Sequence, residues 1–145
     1  MAPKSFTAQL DDMINMTLRD ARYVATESIQ DVAEAMQTPQ RGVTKGGTYE
    51  VGKIPVADAD LINSLSVDGG PEGEDSYVIA IAGYELGDNM RFAYSAEHAL
   101  PMETGFTVEL AGGGEVNVPG RHFMGKAAAR FPEFVKARAA EVRRK

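Results

Sequence analysis

Glu97, His98, Glu103 and His122 are the residues of this sequence whose side chains could together carry acid–base or metal chemistry. Imidazole and carboxylate groups are ordinary zinc ligands and proton carriers. However, Glu97 and His98 are adjacent and would point apart, no two histidines have helical spacing, and no serine or threonine lies in a nucleophile turn. We therefore predict hydrogen-bonding roles for these side chains, with no catalytic residue, no enzyme activity and no metal or cofactor. A metal at a subunit interface and a metal-dependent hydrolase are the alternatives.

A second stretch with a chemical pattern is GTYEVGKI at residues 47–54, which has the glycine and lysine spacing of a phosphate-binding loop. Ile54 stands where that motif needs a serine or threonine to hold magnesium. No apolar strand precedes the stretch and no helical pattern follows it, so the backbone amides that would cradle a phosphate have no frame. We predict that this segment does not bind nucleotide.

Composition narrows the possible functions further. A chain of 145 residues is expected to form one domain, here residues 1–145, and the absence of cysteine excludes disulfides and thiolate chemistry. A net charge of −6 argues against nucleic-acid binding as the main activity. The sequence contains no apolar run of membrane-span length and no signal-peptide pattern at its N-terminus, so we expect synthesis in the cytoplasm.

Charge is distributed unevenly along the chain. Acidic residues concentrate in the middle, between Asp58 and Asp75, and basic residues concentrate after Arg130. The simpler interpretation is that the basic end solvates a helix C-terminus and complements its dipole. The alternative is a charge pair between subunits or a contact with a partner ring.

The elements that must position these groups begin with a long helix. Ser5 can cap it, and apolar residues follow at spacings of three and four as far as Met36. Pro39 must end it. At 1.5 Å per residue such a helix is about 50 Å long, which exceeds the width of a domain of this size. We expect its middle to face the core and its ends to overhang or to contact another subunit.

The remaining pattern predicts a sheet and a second helix. Alternating residues indicate strands at residues 65–67, 77–84 and 90–94, with residues 68–75 as a hairpin connection, and a further hairpin over residues 106–118 that turns at consecutive glycines. A C-terminal helix follows, kinked or restarted at its proline, Pro132. The prediction is an α+β fold, with the long N-terminal helix packed on an antiparallel β-sheet of four to five strands and a kinked C-terminal helix.

Between the first helix and this sheet lies a long loop, at about residues 39–60, that is rich in glycine and has little periodicity. A long unpatterned connection inside a small domain is generally functional or becomes ordered on binding. One hypothesis is therefore a small ligand-binding regulatory domain in which residues 40–59 cover a pocket.

Three short blocks carry a resemblance to a known family. They read HALPMETG at residues 98–105, VPGRHFM at residues 118–124 and, more weakly, LINSLSV at residues 61–67. The first two resemble the paired signature of the siphophage tail-completion and neck proteins, the tail-component morphogenesis proteins that include tail-terminator-like members. Two positions depart from the family pattern, since His98 stands where an aromatic residue is usual and His122 where proline is common.

The resemblance implies a structural virion protein located at the head–tail junction. In this family such a protein forms a homo-oligomeric ring that serves as a tail terminator, tail-completion or neck ring. The symmetry of tail rings implies six subunits. Its partners are the tail tube protein and the head-side connector or stopper protein, and DNA passes through the lumen without specific binding. An acidic balance fits a DNA conduit, since like charge does not trap the phosphate backbone.

The resemblance also implies that the two signature blocks lie near each other, and we hypothesise that Arg121 pairs with Glu103 between them. Together with the loop, the hairpin tip and the basic end, these blocks supply the predicted interface residues, which are Tyr49, Lys53, Glu103, Gly105, Gly113, Arg121, His122, Phe123 and Arg138.

Overall fold

The computed structural model describes residues 5–41, 50–56 and 60–143, and its fold is mixed α+β, as predicted. The helices of the described part are α1 (Phe6–Met36), α2 (Ser76–Ala82), α3 (Ala99–Thr104), α4 (Phe123–Ala129) and α5 (Phe131–Arg143). Its strands are β1 (Pro39–Arg41), β2 (Ile54–Val56), β3 (Leu65–Val67), β4 (Phe92–Tyr94), β5 (Gly105–Glu109) and β6 (Glu115–Pro119). A 3₁₀ turn, Ile62–Ser64, leads into β3.

Both ends of α1 lie close to the residues that predict them, Ser5 and Pro39. The Ser5 hydroxyl accepts a hydrogen bond from the Ala8 amide at 3.1 Å, which satisfies one of the free donors of the first turn. The helix ends at Met36, and the amide of Gln37 closes the last turn on the Ala33 carbonyl at 3.0 Å. Its 31 residues span about 46 Å.

The strands form three two-stranded sheets in the described residues, and the predicted single sheet of four to five strands is wrong. Strands β1 and β2 pair in parallel, while β3 pairs with β4 and β5 pairs with β6 in antiparallel register. No larger sheet forms there because the segment predicted as its central strand is helical.

That segment is α2, which replaces the strand predicted over residues 77–84. Tyr77 and Ile81 lie one helical turn apart, and both are buried in a cluster with Ala33 and Met36 of α1. A short apolar run satisfies a period of two and a helical period equally well, so tertiary packing decides between them. Residues 68–75 consequently lead into a helix, and their interpretation as a hairpin connection is also wrong.

Two short strands interrupt the loop predicted at residues 39–60. Pro39 of β1 lies opposite Ile54 of β2, and the buried side chain of Gln40 donates to the Glu50 carbonyl at 2.6 Å and accepts from the Glu50 amide at 2.9 Å. These bonds hold the segment that ends the loop against the segment that begins it. The rest of the predicted loop, residues 42–49 and 57–59, lies outside the described residues.

Among the described residues, the core consists of two clusters bridged by shared side chains. The first joins the C-terminal half of α1 to β3, α2 and α4. The second contains Ile54, Leu61, Ile62 and Phe123, and Tyr94 packs against both. The buried amide of Gln37 connects the same elements, since it donates to the carbonyls of Ile62 and Glu74 and accepts from the Tyr94 hydroxyl at 2.7 Å. Every polar atom of the Gln37 amide group is thereby used at the junction.

The C-terminal helix restarts at its proline, as predicted. Helix α4 ends at Ala129 and α5 begins at Phe131, which makes Pro132 the second residue of α5. Proline is tolerated in the first turn of a helix because the amide that it lacks would have no intrahelical partner there.

An ionic cluster fastens α5 to α1. The Arg138 guanidinium donates to both carboxylate oxygens of Asp31 at 2.8 and 2.9 Å, and it lies 3.2 Å from Glu141 and 3.7 Å from Glu27. The Tyr23 hydroxyl donates to Glu141 at 2.6 Å. Arg138, which was predicted as an interface residue, thus binds acidic groups of its own chain.

This cluster makes the stability of the protein depend on pH. The hydrogen bond from Tyr23, and then the charge of Arg138, hold the pKa of Glu141 below its usual 4.5. A lowered pKa in the folded state stabilises the protein above the unfolded-state pKa, and this contribution is lost as pH falls through the folded-state pKa. Tyr23→Phe should therefore lower the urea midpoint at about pH 7, and the difference from wild type should shrink towards about pH 3.

Tyr84→Phe is the matched control for this prediction. The backbone carbonyl of Tyr84, not its hydroxyl, accepts from Arg22, so the substitution leaves that bond in place. A difference between wild type and Tyr23→Phe that stays constant across the pH range would contradict the coupling.

Candidate functional site

The two signature blocks meet at the start of the β5–β6 hairpin, in a region that we call the hairpin base and define as residues 102–105 and 119–125. The Arg121 amide donates to the Met102 carbonyl at 2.8 Å, and the His122 amide donates to the Glu103 carbonyl at 3.1 Å. The expected proximity of the blocks is confirmed. Backbone bonds join them here, and the Glu103 carboxylate adds a bond to the Met124 amide.

Two glycines make this close approach possible. Gly105 has φ +93°, and a Cβ built on it would lie 2.8 Å from both the Gly120 nitrogen and the Val118 carbonyl oxygen. A Cβ on Gly120 would lie 2.6 Å from the Thr104 carbonyl carbon. Real Cβ atoms do not approach backbone this closely, so neither position accepts a side chain without movement of the chain.

Glu103 caps α4. Its carboxylate accepts the amides of Met124 at 2.9 Å and of Gly125 at 2.8 Å. A helix N-terminus offers free amides and a partial positive charge, which satisfy a carboxylate well. The hypothesis that Glu103 pairs with Arg121 is wrong, because the ion pairs formed among the described residues do not include Glu103.

Arg121 connects the hairpin base to the segment before β2. The residue is 5% exposed, its Nη1 donates to the Pro119 carbonyl at 3.2 Å, and its own carbonyl accepts from the Gly52 amide at 2.6 Å. The neighbouring Lys53 forms a 3.2 Å ion pair with Glu50 at the surface. Arg121 therefore links the hairpin base to the segment before β2 inside the fold.

His122 and Phe123 form the entry to α4. His122 is exposed and has φ +52°, an uncommon conformation for a residue with a side chain. Proline, which the resembled family commonly has here, cannot adopt a positive φ, so the local backbone differs from the one that proline would impose. Phe123 is 0% exposed, and its ring meets Tyr94 edge-on at 5.3 Å. Its ring is therefore not available to another molecule.

The hairpin beyond this base is an exposed arm. The predicted pairing is confirmed, with Gly105 opposite Pro119 and Glu109 opposite Glu115, and the Thr107 hydroxyl donates to the Asn117 side chain at 2.8 Å on its surface. Gly113 lies in the turn with φ +83° and is exposed. A two-stranded hairpin is marginally stable alone, so the base is what keeps this arm in place.

The first half of α1 is also exposed. We call residues 6–21 the α1 overhang, because almost all of them are exposed while the second half of the helix packs against α2, α4 and α5. Phe6 is 75% exposed and Met13 64% exposed. The large apolar side chains of the overhang are Phe6, Leu10, Met13, Ile14, Met16 and Leu18. The overhang expected from helix length is confirmed at the N-terminal end, but the C-terminal end is buried in the core at Ala33 and Met36.

A second exposed apolar surface lies on α2, and the sequence analysis missed it because it took this segment as a strand. We call it the α2 outer face, and it consists of Val78, Ile79 and Ala82, with Leu86 just beyond the helix. Ile79 is 84% exposed. The signal in the sequence was the apolar run at residues 77–82. If this run forms a helix, apolar side chains lie on every side of it.

A groove near the end of α1 is one of several that could take a small ligand. It has a volume of about 460 Å³ and is lined by Ala35, Thr38, Val51, Gly52, Lys53, Lys126, Ala127 and Arg130. It is open to solvent, and two of its cations, Lys53 and Arg130, already pair with neighbouring glutamates.

Comparisons with known proteins gave no match to a family model, a curated protein or a solved structure. Across the part of the chain that the structure describes, no group of three or more His, Asp or Glu side chains could hold a metal. The helices in that part are too short or too polar to cross a bilayer. Tyr49 lies outside the described residues. The exposed surfaces that stand out are the α1 overhang, the hairpin arm and the α2 outer face.

Proposed function

We propose that this protein is a structural component of a tailed bacteriophage virion that forms a homo-oligomeric ring at the head–tail junction. The ring joins the tail tube to the head-side connector as a tail terminator, tail-completion or neck ring, and DNA passes through it. The proposal rests on the α1 overhang, with the resemblance of residues 98–105 and 118–124 giving it its specific form.

The overhang supports assembly because of its apolar content. Six large apolar side chains, each between 41% and 75% exposed, occupy four turns of one helix. Soluble monomers rarely expose contiguous apolar patches larger than a few hundred square ångströms. Contacts between neighbouring subunits would cover this surface, and head-to-tail contacts that close by rotation produce rings.

The hairpin base supports a role without chemical turnover. Of the four side chains considered for chemistry, Glu103 and His122 lie in this base: the Glu103 carboxylate caps α4, and His122 is exposed at the start of that helix. The neighbouring Arg121 side chain donates to the Pro119 carbonyl. What the base presents outward is the hairpin arm, whose exposed surface is open to contact with another molecule. Such an arm suits a protein that docks between the tail tube and a head-side partner.

The charge of the chain is compatible with a DNA conduit. A net charge of −6 gives no general attraction for phosphate, so DNA would pass without being retained. Acidic side chains between Asp68 and Asp75 are exposed and lie on one connection of the fold.

Measuring mass in solution tests the proposal. Light scattering over a range of concentrations, with negative-stain images of the largest species, should show a closed ring. The ring should have about six subunits, the number that the resemblance implies. It should form either from the protein alone or when the tail tube protein is added. The tail tube protein alone is the control for its own polymers. A strict monomer that ignores both tail tube and head-side proteins would refute the ring.

A further inference from the structure

We infer that helix α5 is a latch, meaning a helix that leaves α1 as one unit while the rest of the described fold stays closed. It turns at the break before Pro132, and Arg138 is the residue that holds it shut. Three features of α5 carry this inference: its small share in the core, its polar attachment and the break that precedes it. The attachment lies within one chain, so it does not depend on the proposed ring.

Helix α5 adds little to the core. None of its residues is buried, whereas α4, the helix before it, buries Phe123 and Ala127. Neither of the two core clusters includes a residue of α5, even among the half-buried side chains that pack against them. The clusters can therefore stay closed when α5 leaves, and opening α5 should require less free energy than unfolding the chain.

The attachment of α5 to α1 centres on charged groups. Arg138 donates to both carboxylate oxygens of Asp31 and lies 3.7 Å from Glu27, and both acidic residues belong to α1. In the other direction, the Tyr23 hydroxyl of α1 donates to Glu141 of α5. The four charged side chains are between 16% and 40% exposed, so water and salt ions reach them.

The break between α4 and α5 supplies the hinge. Arg130 caps α4, and α5 starts at the next residue. Pro132 has no amide proton, so it adds no hydrogen bond across the break. The Phe134 amide donates to the Arg130 carbonyl at 3.0 Å, and the Arg130 guanidinium lies 4.6 Å from the centre of the Phe134 ring. These contacts are local to the break, and a change of backbone angles at one or two residues is enough to swing a helix away.

Opening changes what α1 presents to solvent. Glu27 and Asp31 would be left as an acidic strip without the arginine that now neutralises it, and Tyr23 would lose its bond to Glu141. The uncovered strip and the opened helix are therefore complementary in charge. The latch determines whether this face of α1 is accessible, which makes it a conformational switch.

The response to salt depends on the charge of Arg138. In the wild-type protein Arg138 attracts Glu27 and Asp31 across the contact, whereas Arg138→Gln leaves their repulsion of Glu141. Salt screens both kinds of interaction. It should therefore favour opening in the wild-type protein and oppose opening in Arg138→Gln. A response of the same sign in both proteins would contradict the latch.

Hydrogen exchange of single amides, followed by NMR while urea is raised below the unfolding transition, tests the latch. The α5 amides from Phe134 onwards should share one opening free energy that is lower than that of the β3 and α4 amides. Their dependence on urea should be weak, because little surface is exposed. Exchange that rises steadily from Phe134 to Arg143 would mean that α5 frays from its end. Opening with the same free energy and urea dependence as β3 would mean that α5 unfolds only with the whole chain. Either result would overturn the inference.

Two substitutions on α5 test the role of Arg138. Arg138→Gln should speed the exchange of the α5 amides by about tenfold or more, as expected when hydrogen bonds to a charged group are lost. Lys136→Gln removes a cation from the same helix, but Lys136 is exposed and the ion pairs of the described residues do not include it. It should change the exchange by about twofold or less. Equal effects of the two substitutions would reject Arg138 as the residue that holds the latch.

Asp31→Asn removes the partner on α1 and gives an independent measurement. It should speed the exchange of the same α5 amides as Arg138→Gln, and the double variant should exchange no faster than Arg138→Gln alone. Unchanged NMR chemical shifts in β3 would show that the variants fold. Additive effects of the two substitutions would mean that the residues act separately, and the latch would then be rejected.

Discussion

Gly120→Ala is expected to lower the free energy of unfolding by about 3 kcal/mol, the upper end of the usual cost of overpacking. The added methyl group would meet the Glu103 carbonyl oxygen, the Thr104 carbonyl carbon at 2.6 Å and the Gly105 nitrogen at 2.8 Å. All three are backbone atoms, so no side chain can rotate away to relieve the overlap. The hairpin base must open instead, which separates the two signature blocks and frees the arm.

Gly112→Ala is the matched control, because a Cβ at Gly112 would meet no atom within 4 Å. It should change stability by no more than about 0.5 kcal/mol. Urea unfolding followed by circular dichroism gives both values. Similar small effects at the two glycines would show that the base is not closely packed.

The second large effect is expected at Phe123. Its ring is fully buried and lies edge-on against Tyr94, so Phe123→Ala removes an aromatic side chain from the centre of the second core cluster. Substitutions of this kind cost about 3–5 kcal/mol, a large part of the stability of a small domain. The melting temperature should fall by about 6–20 °C, because a domain of this size loses about 2–4 °C per kcal/mol.

Phe131→Ala provides the comparison for Phe123, since Phe131 is 40% exposed at the start of α5. Its loss should cost on the order of 1 kcal/mol or less. If Phe123 were instead a contact residue between subunits, Phe123→Ala would leave monomer stability intact and reduce only assembly. The thermal melt of the monomer at low concentration therefore separates the two roles.

Local signals were sufficient to predict α1 and the β5–β6 hairpin. Ser5 and Pro39 act on the residues beside them, and the alternation of residues 106–118 repeats on both sides of a glycine turn. These features depend little on the rest of the fold. The α+β class followed from them because the helical pattern of α1 cannot form a strand, and the alternating pattern of residues 106–118 cannot form an amphipathic helix.

Predictions that depended on distant packing failed. Helix α2 forms because Tyr77 and Ile81 fit against α1, and nothing within residues 77–84 shows that α1 will be there. Glu103 was predicted to pair with Arg121, because the two blocks were expected to lie near each other. The structure instead brings the start of α4 to the carboxylate, and the sequence could not show this because the arrangement depends on the close approach of Gly105 and Gly120.

The half-covered state of α1 has a consequence for the kinetics with which the proposed ring would assemble. Residues 6–21 receive little stabilisation from other elements, and a helical segment of this length is marginal in water by itself. It should fray as a separate cooperative unit, so its amide protons exchange far faster than those near Ser28. A subunit that docks through this segment must first hold it helical, which lowers the probability that two isolated subunits associate productively. Once a partner has ordered the first contact, each later addition meets a helix already in place. Nucleation would then limit the rate, and subunits would stay apart until an assembly site starts the process.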